Sequence, residues 1–252
     1  MNQNFCIITI TKNNLDGLQR TAKSIQLQTI QDFEWIVIDA ASTDGTTDFL
    51  KTSQADWTSE PDHGLYDAMN KGLEKASGTY IIFMNAGDTF ADVDILELIT
   101  DQLETNPDFL YGDALESNEN GDVRYKPARP YTKSVRGMFT HHQSMIYKRE
   151  AVGDLRYDTQ YKLAADYDFT MRFLKKAERI TYCPFPICIF ESGGVSQQNA
   201  GLSRAEEMDI KTKLNLCSPF IARTIAILQA ASLAFKSKSP RLYWFLKSRT
   251  AR

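Results

Sequence analysis

The chain has 252 residues, 42% hydrophobic, 24% charged and 11% aromatic, with a formal net charge of -3. That composition excludes whole-chain disorder and supplies enough apolar residues for one large α/β domain or two small ones. Near-neutral charge argues against a nucleic-acid-binding protein, and four cysteines are too few for a disulfide scaffold.

The opening Met1-Asn2-Gln3-Asn4 carries no basic segment, and the apolar run after it is too short for a secretory signal, so the expected compartment is the cytosol. Phe5 to Ile10 is rich in β-branched residues and reads as a buried parallel strand. Leu15 to Leu27 follows with apolar residues at helical spacing. Phe33 to Ile38 is a second strand. Ser42-Thr43-Asp44-Gly45 turns the chain into a helix near Thr46 to Thr52. Leu65 to Ala76 is helical and is stopped by Ser77-Gly78. Tyr80 to Met84 is a third strand. Asp92 to Leu103 reads as a helix ended by Asn106-Pro107. This β-α-β order predicts a mainly parallel sheet covered by helices on both faces.

Tyr111 to Thr140 is rich in turn residues and reads as loops with short strands. Gln143 to Lys148 reads as a strand and Leu163 to Ala177 as a helix. Two further strands are expected at Arg179 to Cys183 and Ile187 to Glu191. There is no internal repeat. The domain reading is residues 1-205 as one α/β domain and 206-252 as a helical, basic appendage.

In such a sheet, ligands bind at the carboxyl ends of the strands. Thr11-Lys12-Asn13-Asn14, Asp39 to Thr46 and Asn85-Ala86-Gly87-Asp88 follow the three strands, and all are polar or acidic. Together they predict a polar pocket. It is neither a Rossmann dinucleotide site nor a P-loop, because neither glycine pattern is present. Carboxylates at a strand end suit a divalent metal bridging to phosphate. The cysteines do not read as a zinc site: Cys183 and Cys188 are separated by four residues, two of them proline.

Val37-Ile38-Asp39-Ala40-Ala41-Ser42-Thr43-Asp44-Gly45-Thr46 resembles a signature block of the family 2 glycosyltransferases. Ser59 to Gly72, running on to Asn85-Ala86-Gly87-Asp88, resembles the bacterial exopolysaccharide and colanic acid branch of that family. His142-Gln143, Ala165-Asp166-Tyr167-Asp168 and Gly193-Gly194-Val195-Ser196 fall in the order that branch shows. The resemblance spans residues 5 to about 200. It implies a GT-A fold, a Rossmann-like α/β/α sandwich, and transfer of a sugar from a nucleotide-diphospho-sugar.

The resemblance also implies roles. Asp39 matches the residue that binds the nucleobase, although an aspartate there also suits an ordinary turn. Thr9, Thr11 and Lys12 match the segment flanking the nucleotide, and Lys12 equally suits a solvated surface. Asp44 is expected to shape the turn. Asn85 to Asp88 stands where the family carries D-x-D, with Asn at the first position and Gly at the third. Asp88 is therefore the expected ligand of Mg2+ or Mn2+, with Asn85 and Asn70 among the donor-binding residues. Asp166 matches the general base. Asp168 lies roughly 200° further round the helix, and Arg172 faces either the diphosphate or Asp168. His142 and Gln143 match an acceptor-side or donor-sugar contact, and Gly194 and Ser196 a loop closing over the donor.

The net charge conceals a split. From Lys211 to Arg252 there are nine Lys/Arg and no Asp/Glu, whereas the other 210 residues hold 20 basic and 32 acidic residues. Pro219 to Phe235 is apolar but short for a membrane span. With its basic flanks and Leu242-Tyr243-Trp244-Phe245-Leu246, it suits an interfacial helix on anionic lipid, or a helix pair packing on the body or on a second copy in a homodimer. The expected partners are a nucleotide-sugar donor, a lipid-linked oligosaccharide acceptor and the cytoplasmic face of the inner membrane, with no nucleic acid. The rival readings are a sugar nucleotidyltransferase, which needs a glycine-rich loop after the first strand, and a non-catalytic partner subunit.

Overall fold

The computed structural model describes residues 4–118, 121–191 and 199–238. The chain divides into two compact units, residues 1–199 and 200–252.

The first unit is built on one sheet, nine strands among the described residues. β1 (Phe5–Thr11), β2 (Phe33–Asp39), β3 (Asp56–Ser59) and β4 (Tyr80–Phe83) run parallel in the order β3-β2-β1-β4. β8 (Met145–Lys148) lies antiparallel between β4 and β6 (Phe109–Ser117). β9 (Ile180–Glu191) continues parallel to β6, and β5 (Thr89–Phe90) closes that edge antiparallel. β7 (Val123–Lys126) pairs with β6 as a hairpin. The sheet is thus mostly parallel, as the β-α-β order predicts. Every residue of β1 and β4 is buried, which explains their unbroken apolar runs.

Helices α1 (Leu15–Gln26), α2 (Thr46–Leu50), α3 (Leu65–Lys75), α4 (Ile95–Thr100), α5 (Arg149–Val152) and α6 (Ala165–Leu174) accompany the strands. Leu18, Ala22 and Ile25 of α1 join Phe5 and Ile7 in the main core. α3 packs on β1 and β2. Gly72 permits that approach: a Cβ there would stand 2.5 Å from Ile8 Cγ2. An aromatic cluster of Phe109, Tyr147, Phe169 and Phe173 joins β6, β8 and α6.

Several boundaries differ from the sequence reading. Tyr111 to Thr140 does not begin as a loop: β6 runs nine residues through Gly112 and Asp113. The two expected strands at 179–183 and 187–191 are one strand, β9, whose register shifts opposite Gly112 and Asp113. Pro184 and Pro186 fall within that irregular stretch, where missing ladder donors are tolerated. The expected helix from Asp92 begins only at Ile95, because Gln28 Nε2 and Thr29 N take the carbonyls of Asp92 and Val93.

The second unit holds α7 (Ala200–Lys213) and α8 (Pro219–Lys238), packed on each other. In α7, Lys211 is buried and pairs with Glu207 at 2.8 Å. Phe220, Ile227 and Leu228 of α8 are 80%, 68% and 63% exposed. Among the described residues, no helix is long and apolar enough to cross a membrane.

Candidate active site

The segments after β1, β2 and β4, the turn before β8 and the end of β9 all emerge at the carboxyl edge of the parallel strands. Among the described residues, three buried side-chain atoms have no hydrogen-bond partner: Thr11 Oγ1, Asn85 Oδ1 and His142 Nδ1. Thr11 ends β1, Asn85 follows β4, and His142 stands just before β8, so all three lie at this edge on neighbouring strands. Buried polar groups are nearly always paired. Their concentration here makes this edge the candidate binding site.

On the β1–β2 side, Asp39 is fully buried. Its Oδ2 accepts from Ser42 N at 3.0 Å and Ser59 Oγ at 2.6 Å, and its Oδ1 accepts from Ser42 Oγ. Ser42 Oγ in turn accepts from Asn13 N at 2.7 Å, tying the two loops together. Asp44 shapes the turn as expected, accepting from Thr46 N, Thr46 Oγ1 and Leu15 N. Lys12 is exposed at the mouth. Thr9 belongs to the core instead: it is fully buried and its hydroxyl accepts from Trp35 Nε1 at 3.1 Å, so it supports the edge from below rather than meeting a donor.

After β4, residues 85–88 form a tight turn, with Asp88 N donating to Asn85 O at 2.9 Å and Gly87 at φ 108. Thr21 Oγ1 accepts from Gly87 N at 3.0 Å and donates to Asp88 O at 2.7 Å. Asn14 caps α1 through Gly17 N and donates to Ala86 O at 3.0 Å. Helix α1 therefore clamps the turn. Asp88 is buried, and its Oδ2 accepts from Gln143 Nε2 at 2.7 Å and its Oδ1 from Glu191 N at 3.1 Å. Burial pushes its carboxyl up to about 7 against those hydrogen bonds. Glu191 is also paired with Arg20 at 2.8 Å.

No group of three His, Cys, Asp or Glu side chains is poised for a metal among the described residues. The turn nevertheless offers two hard oxygens, the Asp88 carboxylate and the unpartnered Asn85 Oδ1. Each Asp88 oxygen keeps lone-pair capacity beyond its one bond. Magnesium and manganese accept such a sparse protein set when diphosphate and water supply the rest. The residues present therefore fit the metal expected from the sequence.

On the other flank, Asp166 sits in the first turn of α6 and is partly buried. Its Oδ1 accepts from Tyr66 Oη at 3.3 Å and Tyr167 N at 2.8 Å. Asp168 is turned to Arg172, accepting from Nε at 2.7 Å, and Arg172 also donates to Arg156 O. That ion pair resolves the two readings of Arg172 toward Asp168, and both residues hold α6 to the 156 loop. Asn70 clasps Tyr157: Nδ2 donates to Tyr157 O at 3.0 Å, and Oδ1 accepts from Tyr157 N at 2.8 Å. Its amide thus faces protein backbone rather than a donor. Tyr157 Oη meets His142 Nε2 at 2.9 Å, and His142 lies 4.9 Å from the Phe83 ring. Burial lowers His142 to about 3, so it is neutral at physiological pH.

Gly194 and Ser196 lie outside the described residues. The structure thus brings Thr11, Lys12, Asp39, Asn85, Asp88, His142, Gln143 and Asp166 to one edge of the sheet. Tyr66, Tyr157, Thr21 and Asn14 escaped the sequence reading. Tyr66 lies within a motif that the reading singled out, whereas nothing local marks Tyr157.

Comparison with known proteins follows the same line. Residues 6–181 match Glycosyl transferase family 2. An uncharacterized glycosyltransferase of Mycobacterium tuberculosis is 34% identical over 200 residues, 75% of each chain. A PGL/p-HBAD biosynthesis glycosyltransferase of the same species is 29% identical over 223 residues, 84% of this chain and 86% of the relative. Staphylococcus aureus TarS 1-349 in complex with UDP-GlcNAc superposes with a TM-score of 0.69 at 18% identity, covering 90% of this chain and 70% of that one. The mannosyltransferase PcManGT from Pyrobaculum calidifontis, in complex with GDP-Man and Mn2+, gives 0.66 at 17% identity, covering 100% and 80%. Both share the fold.

Proposed function

The chain belongs to glycosyl transferase family 2, and we propose that it moves one sugar from a nucleotide-diphospho-sugar to a hydroxyl of a lipid-linked glycan, inverting the anomeric centre. The pathway we infer is bacterial surface polysaccharide synthesis (exopolysaccharide, capsule or O-antigen), beside the exopolysaccharide and colanic acid branch that Ser59 to Gly72 resembles. The PGL/p-HBAD biosynthesis relative supports the acceptor class, and TarS and PcManGT, solved with UDP-GlcNAc and GDP-Man, support the donor class.

The observation that carries this reading is the set of unpartnered polar atoms at the carboxyl edge, between Asp39 on one side and Asp166 on the other. Asp39 with Thr11 and Lys12 would hold the nucleotide. His142 would meet a sugar hydroxyl through its open Nδ1. Asp166 takes the proton of the attacking hydroxyl as that oxygen bonds to the anomeric carbon. The carbon–oxygen bond to the diphosphate breaks, and its electron pair leaves with the nucleoside diphosphate. Asp88 and Asn85 would hold Mg2+ or Mn2+, which supplies positive charge for the leaving diphosphate.

The test is nucleoside diphosphate release from a panel of UDP- and GDP-sugars. Wild type should hydrolyse at least one donor slowly, and Asp166→Asn should lower kcat by about 100-fold or more with unchanged nucleotide affinity. Retention of most turnover in that variant sinks the base assignment.

We also infer peripheral attachment to the cytoplasmic face of the inner membrane. Exposed Phe220, Ile227 and Leu228, with nine cations from residue 211 onward, suit an anionic interface. Full-length protein should float with anionic liposomes, and Phe220→Glu with Ile227→Glu should abolish flotation. Equal flotation of both forms, or loss of a dimer instead, refutes the attachment.

A further inference from the structure

Helix α3 carries the segment Gly64-Leu65-Tyr66-Asp67-Ala68-Met69-Asn70-Lys71-Gly72, which the proposed chemistry leaves without a task. Its side chains divide by function. Asp67 Oδ2 accepts from His63 N at 3.1 Å and steadies the helix start. Gly72 seats the helix against Ile8 of β1. The two remaining polar residues of its inner face, Tyr66 and Asn70, reach across to the elements that carry the base.

Tyr66 is buried, and its hydroxyl donates to Asp166 Oδ1 at 3.3 Å. Its ring stacks on Tyr157, with centroids 5.6 Å apart and planes 23° apart. Tyr157 stacks in turn on Phe169 of α6 at 4.3 Å. Asn70, one turn along α3, fixes the main chain of Tyr157 by two hydrogen bonds. Tyr66 is therefore locked by its ring, and only its hydroxyl addresses the carboxylate. The Tyr66 hydroxyl adds a restraint on the Asp166 carboxyl torsion, whose energy well is broad. A donor from α3 and the Tyr167 amide from α6 both land on Oδ1, which defines the carboxylate plane from two elements at once.

We propose that Tyr66 is a positioning residue for the general base: α3, anchored to β1 at Gly72, aims Asp166 at the attacking hydroxyl through the Tyr66 hydroxyl. This rests on the reading of Asp166 as the base. It assigns the Gly64 to Gly72 segment to catalytic alignment rather than to donor contact. If the Tyr66 hydroxyl acts through Asp166, its removal should lower turnover without weakening donor binding.

A double-mutant cycle on the full-length enzyme tests this. The probe is the UDP- or GDP-sugar that wild type hydrolyses fastest, with nucleoside diphosphate release as the readout. Tyr66→Phe keeps the ring and its stacking on Tyr157, so nucleoside diphosphate titration should give unchanged affinity and report an intact donor site. We expect Tyr66→Phe to lower kcat about tenfold with donor KM within about twofold. In an Asp166→Asn background, Tyr66→Phe should produce no further loss, because the hydroxyl then has no base to aim. A merely structural hydroxyl would lower the residual rate of Asp166→Asn by the same factor as in wild type, and that result overturns the proposal. So does a Tyr66→Phe enzyme with wild-type kcat, or one that loses donor affinity in step with kcat. If Asp166→Asn itself keeps its turnover, the base reading fails first, which the cycle distinguishes from failure of Tyr66 alone.

Discussion

Acidification should act in opposite directions on two buried groups of the site, and removing one of them should expose the other. The ordinary value of His142 is 6.5 and burial lowers it to about 3. Its folded value lies below its unfolded value, so the unfolded chain binds the extra proton between those limits. The associated stability is complete above about pH 6.5 and is lost as pH falls through the window. From pH 7 to pH 5 that loss is about 2 kcal/mol. Asp88 runs the other way: burial raises it from 3.8 to about 7. Its stability is fully present below about pH 3.8 and disappears as pH rises through 7, so acidification from pH 7 to pH 5 returns about 2 kcal/mol. In wild type these two contributions nearly cancel over that interval.

The perturbation is His142→Asn, which removes the titrating ring. The measurement is urea unfolding followed by tryptophan fluorescence at pH 7 and pH 5, with EDTA present so that no metal engages Asp88. The variant is less stable than wild type at both pH values, since the ring packs beside Phe83 and Tyr157. The diagnostic quantity is the change between the two pH values. Relative to wild type, the variant should gain about 2 kcal/mol on acidification. His141 and the surface carboxylates are common to both proteins and drop out of the difference. A variant whose change in stability between pH 7 and pH 5 matches that of wild type to within about 0.5 kcal/mol would refute the burial of a neutral imidazole at this position.

Thr21→Val leaves the Gly87 N–H and the Asp88 carbonyl without their shared hydroxyl. It should cost about 2 kcal/mol in thermal or urea unfolding and raise donor KM. Gly72→Ala forces a Cβ to 2.5 Å from Ile8 Cγ2. Overpacking of about 1–3 kcal/mol should outweigh a helix-propensity gain of about 1 kcal/mol, and combining it with Ile8→Ala should destabilise less than the sum of the two single changes. Asn85→Ala removes one of two candidate metal oxygens, so the Mn2+ concentration for half-maximal nucleoside diphosphate release should rise about tenfold. A rate insensitive to both EDTA and Asn85→Ala removes the metal from the scheme.

Much of this protein is legible one residue after another. The mainly apolar runs at Phe5 to Ile10, Phe33 to Ile38 and Tyr80 to Met84 read directly as strands, because a strand covered on both faces is dominated by apolar and β-branched residues. Their polar ends point to the candidate site, since the carboxyl edge of parallel strands is where helix starts and loops converge. Asp88, Asn85, His142 and Gln143 are visible on the same grounds, through their places in the resemblance. The helical spacing after Leu65 and the sign change of charge at Lys211 are likewise local properties.

Tertiary structure decided what each polar group faces. Thr9 and Thr11 are two residues apart on one strand, yet one hydroxyl meets Trp35 in the core and the other has no protein partner. Asn70 looked like a donor contact and instead grips Tyr157, 87 residues away. β6 was hidden because Gly112 and Asp113 are poor strand formers alone. They are held by pairing with β9, and Asp113 also takes hydrogen bonds from Tyr125, Ala128 and Tyr182. The Tyr66–Asp166 bond joins residues 100 apart. Spacing along the chain sets which face of an element a residue occupies, but the partner across that face comes from another element, and only packing brings the two together.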